Sequence, residues 1–442
     1  MLDGAGNGKP AGCDDGLMER ETARRTVHAE EKLVELVDVY SRRVYPAVLE
    51  QHASGSVCSP LGVWLLLAAC VTGAGGVERA ELELAVGCSA DEASELLEAF
   101  LSEPPPALKA AIAVWVRIVD ATRELAAWVE RLPSAVESGF MPTQQHANEW
   151  VDRHTLGLIK QFPLAVDSLR IALASALATR VSWKSPFDLV AASEHLSESS
   201  PWRGSVERVL WDKVAVNASL TETSAAGVVA VHEAVAQEGL TVISVSADPS
   251  VDRVAVLEAA HEIAAHIATG AQLPRCSLFA LPLGDGHSWT ITEREKPSWH
   301  AGQQSERIAG VSLPAWHLNG ELELKRSARF AAVPALEVLR QLIGPRPDDQ
   351  TEAKQVAVAS FTRYGFQAAA LTVFAVRASA VRNPNETGTE RTAIVRFDHP
   401  YAAVAISGHP NPPSRDTRFA GLPLFSAWIA TPVEAEDHVE SS

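Results

Sequence analysis

The sequence GFQAAALT at residues 365–372 decides the fold, together with two apolar segments that follow it, FDHPY at 397–401 and LFSAWIATP at 424–432. The stretch opens with a glycine and a run of small residues, and β-forming residues come later. Alternate residues of a strand face opposite sides of a sheet, so this order suits a segment that enters a sheet from its N-terminal end. Gly365 gives such a segment the freedom to bend. Taken alone, the alanines at 368–370 are more typical of a short helix or an ordinary strand.

Further segments occur in an order that is found in one protein family. They are SVCSPLGV at 56–63 with TGAGGVE at 72–78, ANEWVDRHTLGLI at 147–159, LASAL at 173–177 with VSWKSPF at 181–187, and VSLPAW at 311–316 with ALEVLRQLIG at 335–344. In this order and spacing, over roughly residues 30–433, the chain resembles the serpins, with little match in 190–305. The resemblance implies a single α+β domain in which helices pack around three β-sheets and a reactive-centre loop at about 365–396 is exposed.

The resemblance also implies a function. In serpins a protease cuts the reactive loop, and the cut loop enters a sheet as a new strand while the protease is still attached. We therefore expect a serine-type endopeptidase inhibitor that is metastable before the cut and changes conformation after it, and not an enzyme. The hinge of the loop would comprise Gly365, Phe366, Gln367, Ala368, Ala369 and Ala370.

The scissile bond is placed by counting from the hinge. Fourteen residues beyond Gly365 the family register reaches Ser379 and Ala380, which suit a protease with a pocket for small residues. Arg377 or Arg382 would instead attract a trypsin-like protease. Both alternatives stay open, because the segment from 365 to 397 is longer than usual for the family.

Several positions depart from the family pattern. Arg363 stands where the family has a glutamate, Ala315 where it has the partner lysine, and Phe366 where it has a small residue. Ser175 and Gly62 replace an asparagine and a serine of the family. Forcing a phenyl ring into a packed sheet costs about 1–3 kcal/mol. The alternative hypothesis is therefore a non-inhibitory protein of the same fold with a binding or regulatory role.

The composition argues against some classes of binding partner. The chain has 55 acidic and 38 basic residues, a formal charge of −17, which argues against binding to nucleic acid or to an anionic membrane surface. We expect a monomer whose partner is a serine protease and which needs no cofactor or metal. The five cysteines are odd in number and scattered, which favours reduced thiols. No secretory signal is visible, so we expect a cytoplasmic protein, with secretion by another route left open.

The domain organisation follows from the same patterns. Residues 1–27 are polar and glycine-rich and are predicted to be disordered, residues 28–433 form the serpin-like domain, and residues 434–442 form an acidic tail. An amphipathic first helix is predicted over 27–49 from apolar residues at helical spacing.

The motifs in the sequence give little support to the alternative that the protein is an enzyme. HEIAAH at 261–266 is similar to a zinc-protease helix, but its two histidines are five residues apart, which turns the second roughly 140° away from the first. We predict a surface helix with two solvated histidines. The sequence contains no Gly-x-Ser-x-Gly elbow and no glycine-rich phosphate loop, although 14 histidines leave a Ser-His-Asp triad open.

Overall fold

The structure is a computed structural model that describes residues 15–52, 54–268, 271, 274–298, 302–366, 386–408 and 418–436, with side chains from residue 27 onwards except at 268, 298 and 386. The helices within these ranges are α1 Asp15–Gln51, α2 Pro60–Val71, α3 Gly76–Val86, α4 Ala90–Ser102, α5 Arg123–Val129, α6 Gln144–His154, α7 Ala192–His195, α8 Arg253–Ala268 and α9 Ala332–Leu342. No helix in this part of the chain is both long and apolar enough to cross a membrane.

The strands of the same residues are, in chain order, β1 Ser56–Cys58, β2 Lys109–Val116, β3 Glu137–Phe140, β4 Ile171–Ala178, β5 Val181–Ser182, β6 Asp188–Ala191, β7 Arg208–Asp212, β8 Ala218–Thr223, β9 Gly227–Val235, β10 Leu240–Ser246, β11 Gly284–Asp285, β12 Trp289–Ser298, β13 Gln304–Leu313, β14 Trp316–Glu323, β15 Lys354–Phe361, β16 Gly365–Phe366, β17 Glu386–Arg396, β18 Tyr401–Ser407 and β19 Pro423–Ile429. One large core contains residues of both helices and sheets, and a smaller cluster lies between α6 and strands β2 and β4, so this is a single α+β domain.

Three sheet systems organise the domain. An antiparallel sheet has the order β1-β19-β18-β10-β9-β8, and a mixed sheet has the order β11-β12-β17-β13-β7-β6. The third system consists of two halves, β3-β2-β4 and β14-β15. Every residue of β18 and β19 is buried, which explains why the C-terminal sequence contains nearly continuous apolar segments.

Helix α2 lies at the centre because of its sequence. Ser59 is its N-cap and accepts a hydrogen bond from the Gly62 N–H, and Pro60 occupies the first helical position, where a missing N–H has no effect. The helix is apolar on nearly all sides and eleven of its residues are buried. A helix with this pattern is stable only inside a core. The Ser-Pro motif therefore starts the helix on which the third sheet system rests.

Both predicted ends of the domain require correction. Helix α1 begins at Asp15, so residues 15–27 of the segment predicted to be disordered are helical. Their alanine, glutamate, arginine and leucine residues favour a helix despite their polarity. At the other end, the Glu434 carboxylate accepts hydrogen bonds from the N–H groups of Glu207 and Arg208, and Ala435 is buried. The predicted tail thus begins inside the fold, while residues 1–14 and 437–442 lie outside the described residues.

The prediction for the histidines of α8 was wrong at His261. This side chain is fully buried, because α8 packs against α1. Its Nδ1 lies 2.5 Å from Asp38 Oδ1, and its Nε2 is hydrogen-bonded to the Tyr45 hydroxyl. Burial raises the pKa of Asp38, but the hydrogen bond and charge of His261 outweigh burial and leave the pKa lowered. The two histidines do point in different directions, since His266 is only half-buried and bonds to the Glu262 carbonyl.

Candidate functional site

The candidate site is a gap between strands β4 and β15. Among the described residues the only strand that pairs with β4 is β2, and the only strand that pairs with β15 is β14. At one end of the gap Arg170 Nη1 lies 2.7 Å from Asp349 Oδ1, just before the two strands begin. At the other end the rings of Trp183 and Phe361 are 4.9 Å apart. The two strands therefore run in the same direction, and we name these ends of the gap lower and upper.

The gap contains a cleft of about 190 Å³ with mainly apolar walls. One wall is α2, which contributes Val63, Leu66 and Leu67, and the opposite wall includes Trp150 of α6. Along β4, Ala172, Ala174 and Ala176 pack with α6, while Leu173 and Leu177 pack with the main core. A strand placed between β4 and β15 would thus meet apolar side chains on both faces and a free backbone edge on each side.

Polar groups tie both edge strands to the start of α2. The Ser175 hydroxyl of β4 donates to the Gly62 carbonyl at 2.9 Å. The Gln355 amide of β15 donates to the Ser59 carbonyl at 2.8 Å, and its oxygen accepts from the Ser59 N–H at 3.0 Å. A Cβ on Gly62 would lie 3.3 Å from Leu177 Cδ1 of β4, which is a tight contact. The strands are therefore held to the helix below them, and no ladder between the two has to break before a new strand enters.

The predicted hinge begins at the upper end of this cleft. Gly365 pairs with Ser182 and Phe366 pairs with Val181 in the short antiparallel ladder of β16 and β5. A Cβ on Gly365 would lie 2.1 Å from the Val181 carbonyl oxygen, so the glycine is required by this close approach. The Phe366 ring is 5% exposed and packs edge-on against Trp316, with centroids 6.2 Å apart.

The prediction of an exposed loop over 365–396 was therefore wrong at both ends. Residues 365–366 are buried because Phe366 fills apolar space beside Trp316. Residues 386–396 form β17 in the middle of the mixed sheet, where Ala393 and Val395 are buried. The rest of the predicted hinge (Gln367, Ala368, Ala369 and Ala370) and the predicted cleavage positions (Arg377, Ser379, Ala380 and Arg382) lie outside the described residues.

Arg363 and Ala315, which depart from the family pattern, have local partners. Arg363 Nε donates to the Phe187 carbonyl at 3.0 Å, and the Phe187 N–H donates to the Arg363 carbonyl at 3.1 Å. Ala315 is buried and pairs with Val433. Backbone contacts thus occupy the positions where the resemblance implies an ion pair. No pattern in the sequence indicated these contacts of Arg363 and Ala315 or the hydrogen bonds of Gln355, since each partner lies far away in the chain.

One arrangement has the composition of a catalytic triad. Asp398 Oδ1 lies 3.1 Å from His399 Nδ1, and His399 Nε2 lies 3.1 Å from Ser246 Oγ. The same Nε2 lies 2.8 Å from the Ala247 carbonyl oxygen and must donate to it, so it is not a base for the serine. Burial lowers the pKa of His399, but the bonds to Asp398 and Ala247 outweigh it and raise the pKa. The arrangement is a buried link between the end of β10 and the segment that precedes β18.

Comparisons with known proteins agree with this geometry. The family model described as Serpin (serine protease inhibitor) matches residues 37–196. A search of curated proteins found no match. Among solved structures, Serpin48 of the insect Tenebrio molitor is 15% identical, with a TM-score of 0.56 over 91% of this chain and 99% of its own.

Two further structures extend the comparison. Cleaved Serpin 42Da is 15% identical, with a TM-score of 0.56 over 93% of this chain and 100% of its own. Human glycosylated kallistatin is 13% identical, with a TM-score of 0.60 over 92% of this chain and 100% of its own. The chain therefore has the serpin fold. The low identities make it a divergent example, in which function must be argued from its own residues.

Proposed function

We propose that this protein inhibits a serine protease by covalent trapping, in which residues after Phe366 enter the cleft as a strand. The observation that carries the proposal is the cleft itself, with apolar walls and two strand edges that no described residue pairs with. A segment that descends from β16 at the upper end would run antiparallel to both β4 and β15. It would gain hydrogen bonds on both sides and bury its apolar residues, which is strand addition within one chain.

The chemistry is supplied by the protease. Its serine Oγ attacks the carbonyl carbon of the scissile residue, the peptide bond breaks, and a proton passes to the new amino group of the following residue. The upstream part of the chain is then joined to the protease by an ester bond. Water would normally cleave this ester, so trapping requires insertion to be faster than hydrolysis. The inhibitor's own residues act by supplying the cleft and the hinge.

The target class depends on the residue before the cut. Ser379 with Ala380 suits an elastase-like or subtilisin-like protease, and Arg377 or Arg382 suits a trypsin-like one. A short panel of these enzymes, incubated with the full chain and analysed on a denaturing gel, tests the proposal. We expect a band at the summed mass of protease and inhibitor, and mass spectrometry of the released C-terminal fragment identifies the cut. Clean cleavage by every enzyme without this band contradicts the proposal.

A second function is favoured by one specific observation. The Phe366 ring is buried against Trp316, and Gly365 is paired with β5, so the hinge is held before any cut. If release of β16 is slower than hydrolysis of the ester, the protein is a substrate and not an inhibitor. It would then be a non-inhibitory member of the fold with a binding or regulatory role. The gel distinguishes the two, because a substrate gives fragments only.

A further inference from the structure

The exposed face of the mixed sheet carries a group of cations. The side chains of Arg294 and Lys296 of β12 and Arg307 of β13 are 62%, 50% and 55% exposed. Residues that pair across neighbouring strands lie on the same face of a sheet. The pairings Arg294↔Glu390 and Arg307↔Thr392 therefore place these cations on one face, and we name Arg294, Lys296 and Arg307 the basic patch.

One buried carboxylate lies within the basic patch. The side chain of Glu390 is 3% exposed, and it accepts from Arg294 Nε at 2.8 Å and from Lys296 Nζ at 2.6 Å. Arg307 Nε lies 3.8 Å from Glu390 Oε2, and the Arg307 side chain makes no hydrogen bond to any residue that the structure describes. One carboxylate does not neutralise three cations, so the patch keeps an excess of positive charge. Arg307 also keeps its N–H donors for a partner.

The excess of positive charge is local. At the other end of the same face, Arg396 and Asp285 both bond to the Thr290 hydroxyl, so a cation and a carboxylate lie together there. Glu293 alternates with the cations along β12 and bonds to Arg391 on the opposite face at 2.8 Å. The whole chain carries a formal charge of −17. An acidic partner would thus be repelled by the chain as a whole and attracted at the basic patch.

The basic patch lies near the place where the target protease would bind. Strand β17 begins at Glu386, and Glu390 follows four residues later, about 13 Å along the strand. A domain of about 250 residues has a radius of gyration of about 18 Å, so a protease bound just before Glu386 would also cover the patch. Strand β12 lies within 190–305, where the sequence has little resemblance to the serpins. The resemblance therefore does not account for the two cations that β12 supplies.

We propose that the basic patch docks an acidic surface of the target protease, apart from the residues that the protease cuts. The proposal rests on the proposed function and adds the chemistry of the partner, a serine protease with carboxylates beside its active site. A guanidinium group binds a carboxylate through two parallel N–H donors, which Arg307 can supply. A polyanion is less favoured, because three cations around one carboxylate would neutralise few of its closely spaced charges.

The test measures binding to two trypsins, one with an anionic and one with a cationic surface, whose catalytic serine is replaced by alanine. Neither enzyme can cut the chain, so the affinity reports docking and does not depend on trapping. At low ionic strength we expect the full chain to bind the anionic trypsin about tenfold more tightly, and added salt should remove the difference. Arg307→Gln should weaken this binding about threefold, and Glu390→Gln should strengthen it by a similar factor.

Arg79→Gln is the matched control, because Arg79 is also exposed and pairs with one glutamate, Glu83, but lies on α3. If Arg307→Gln does not fold, Lys296→Gln replaces it. Equal affinities for the two trypsins, no binding to either, or equal losses in Arg307→Gln and Arg79→Gln overturn the docking surface. Binding of dextran sulfate that depends on Arg307, without a preference for the anionic trypsin, assigns the patch to a polyanion and also overturns it. The inhibitor proposal is tested separately, by the covalent complex on the denaturing gel.

Discussion

The two ends of the segment 367–385 are anchored very differently. At its N-terminal end, β16 contributes two residues and pairs with one strand, β5. At its C-terminal end, β17 contributes eleven residues and is paired on both sides, with charged contacts on each face. The hydrogen bonds of one strand residue contribute about 1 kcal/mol each in net terms, so the second anchor is many times stronger.

This difference assigns a direction to the proposed movement. After a cut, the part of the chain joined to β16 has only a short ladder and one buried ring to release before it enters the cleft. The part joined to β17 stays in the mixed sheet. An inhibitor that traps its target on the upstream fragment needs this asymmetry, because only the upstream fragment has to travel. The predictions below change one anchor at a time.

The largest effect is expected from the cut itself. Cleavage between residues 376 and 382 should raise the melting temperature by about 10 °C or more, measured by calorimetry. An added strand of eight residues that pairs on both sides gains roughly 10 kcal/mol from its hydrogen bonds alone. In a chain of this size, that gain raises the melting temperature by about 10 °C.

A proline in the segment is the control, because it should prevent insertion and still allow the cut. Proline has no N–H and is excluded from the middle of a sheet, so Ala370→Pro should be cut normally but gain far less stability. Equal melting temperatures for cut and uncut wild type would show that the cleft does not accept the segment. The weak anchor at β16 would then have no functional meaning.

The next largest effect is expected at the ring of Phe366, which belongs to the weaker anchor, β16. Phe366→Thr removes the contact with Trp316 and should lower the stability of the uncut protein by about 3 kcal/mol. The same change should favour release of β16, and 1.4 kcal/mol in one barrier changes the ratio of trapping to hydrolysis about tenfold. We expect the variant to yield more covalent complex on a denaturing gel than wild type does.

Phe140→Thr is the matched control for the ring. Phe140 lies on β3 and is 65% exposed, so its replacement should leave both the stability and the yield of complex nearly unchanged. If wild type already traps the protease efficiently and Phe366→Thr adds nothing, the buried ring does not limit insertion.

A smaller effect is expected at Gly365, the residue before Phe366. Gly365→Ala places a Cβ 2.1 Å from the Val181 carbonyl oxygen, so β16 must move away from β5, with a loss of about 1–3 kcal/mol in a thermal melt. Gly139→Ala on β3 is the control, because no atom lies within 4 Å of the added Cβ. Equal melting temperatures for the two variants would show that the pairing of β16 with β5 contributes nothing to stability.

The sequence predicted some of these features because their causes are local. The Ser59–Pro60 start of α2 depends on a cap and a proline within one turn, and the buried strands β18 and β19 follow from uninterrupted apolar residues. The opposite orientation of His261 and His266 follows from their spacing on one helix. Each of these depends on residues that are close in the chain.

Other features could not be predicted because their partners are distant. The burial of Phe366 requires Trp316 and Val181, and the contacts of Gln355 require Ser59. The sequence TITEREKP at 290–297 has the charge of an exposed loop, yet it forms most of β12 because β17 supplies opposite charges at matching positions. A strand made of paired charges is specified by its partner and not by its own pattern.

The smallest expected effect is the pH dependence of the stabilisation that Glu390 gives to β17, the stronger anchor. The bonds from Lys296 and Arg294 lower the pKa of Glu390 below its usual value, against the opposing effect of burial, and Arg307 is the third charge that faces it. For a carboxyl group with a lowered pKa, the stabilisation is present above the unfolded-state pKa and is lost as the pH falls through the folded-state value. The contribution is on the order of 1 kcal/mol, since the three cations are exposed.

The melting temperature of the uncut wild type should therefore fall as the pH drops below about 4. Glu390→Gln should melt at a lower temperature than wild type at neutral pH, and its melting temperature should depend less on pH, because Arg294 and Lys296 have lost their acceptor charge. Glu337→Gln is the matched control: its pKa is also lowered, by Arg340, but on α9. If Glu390→Gln and Glu337→Gln both follow the wild-type profile, the charges on β17 do not hold the strand, and its anchor is the backbone ladder alone.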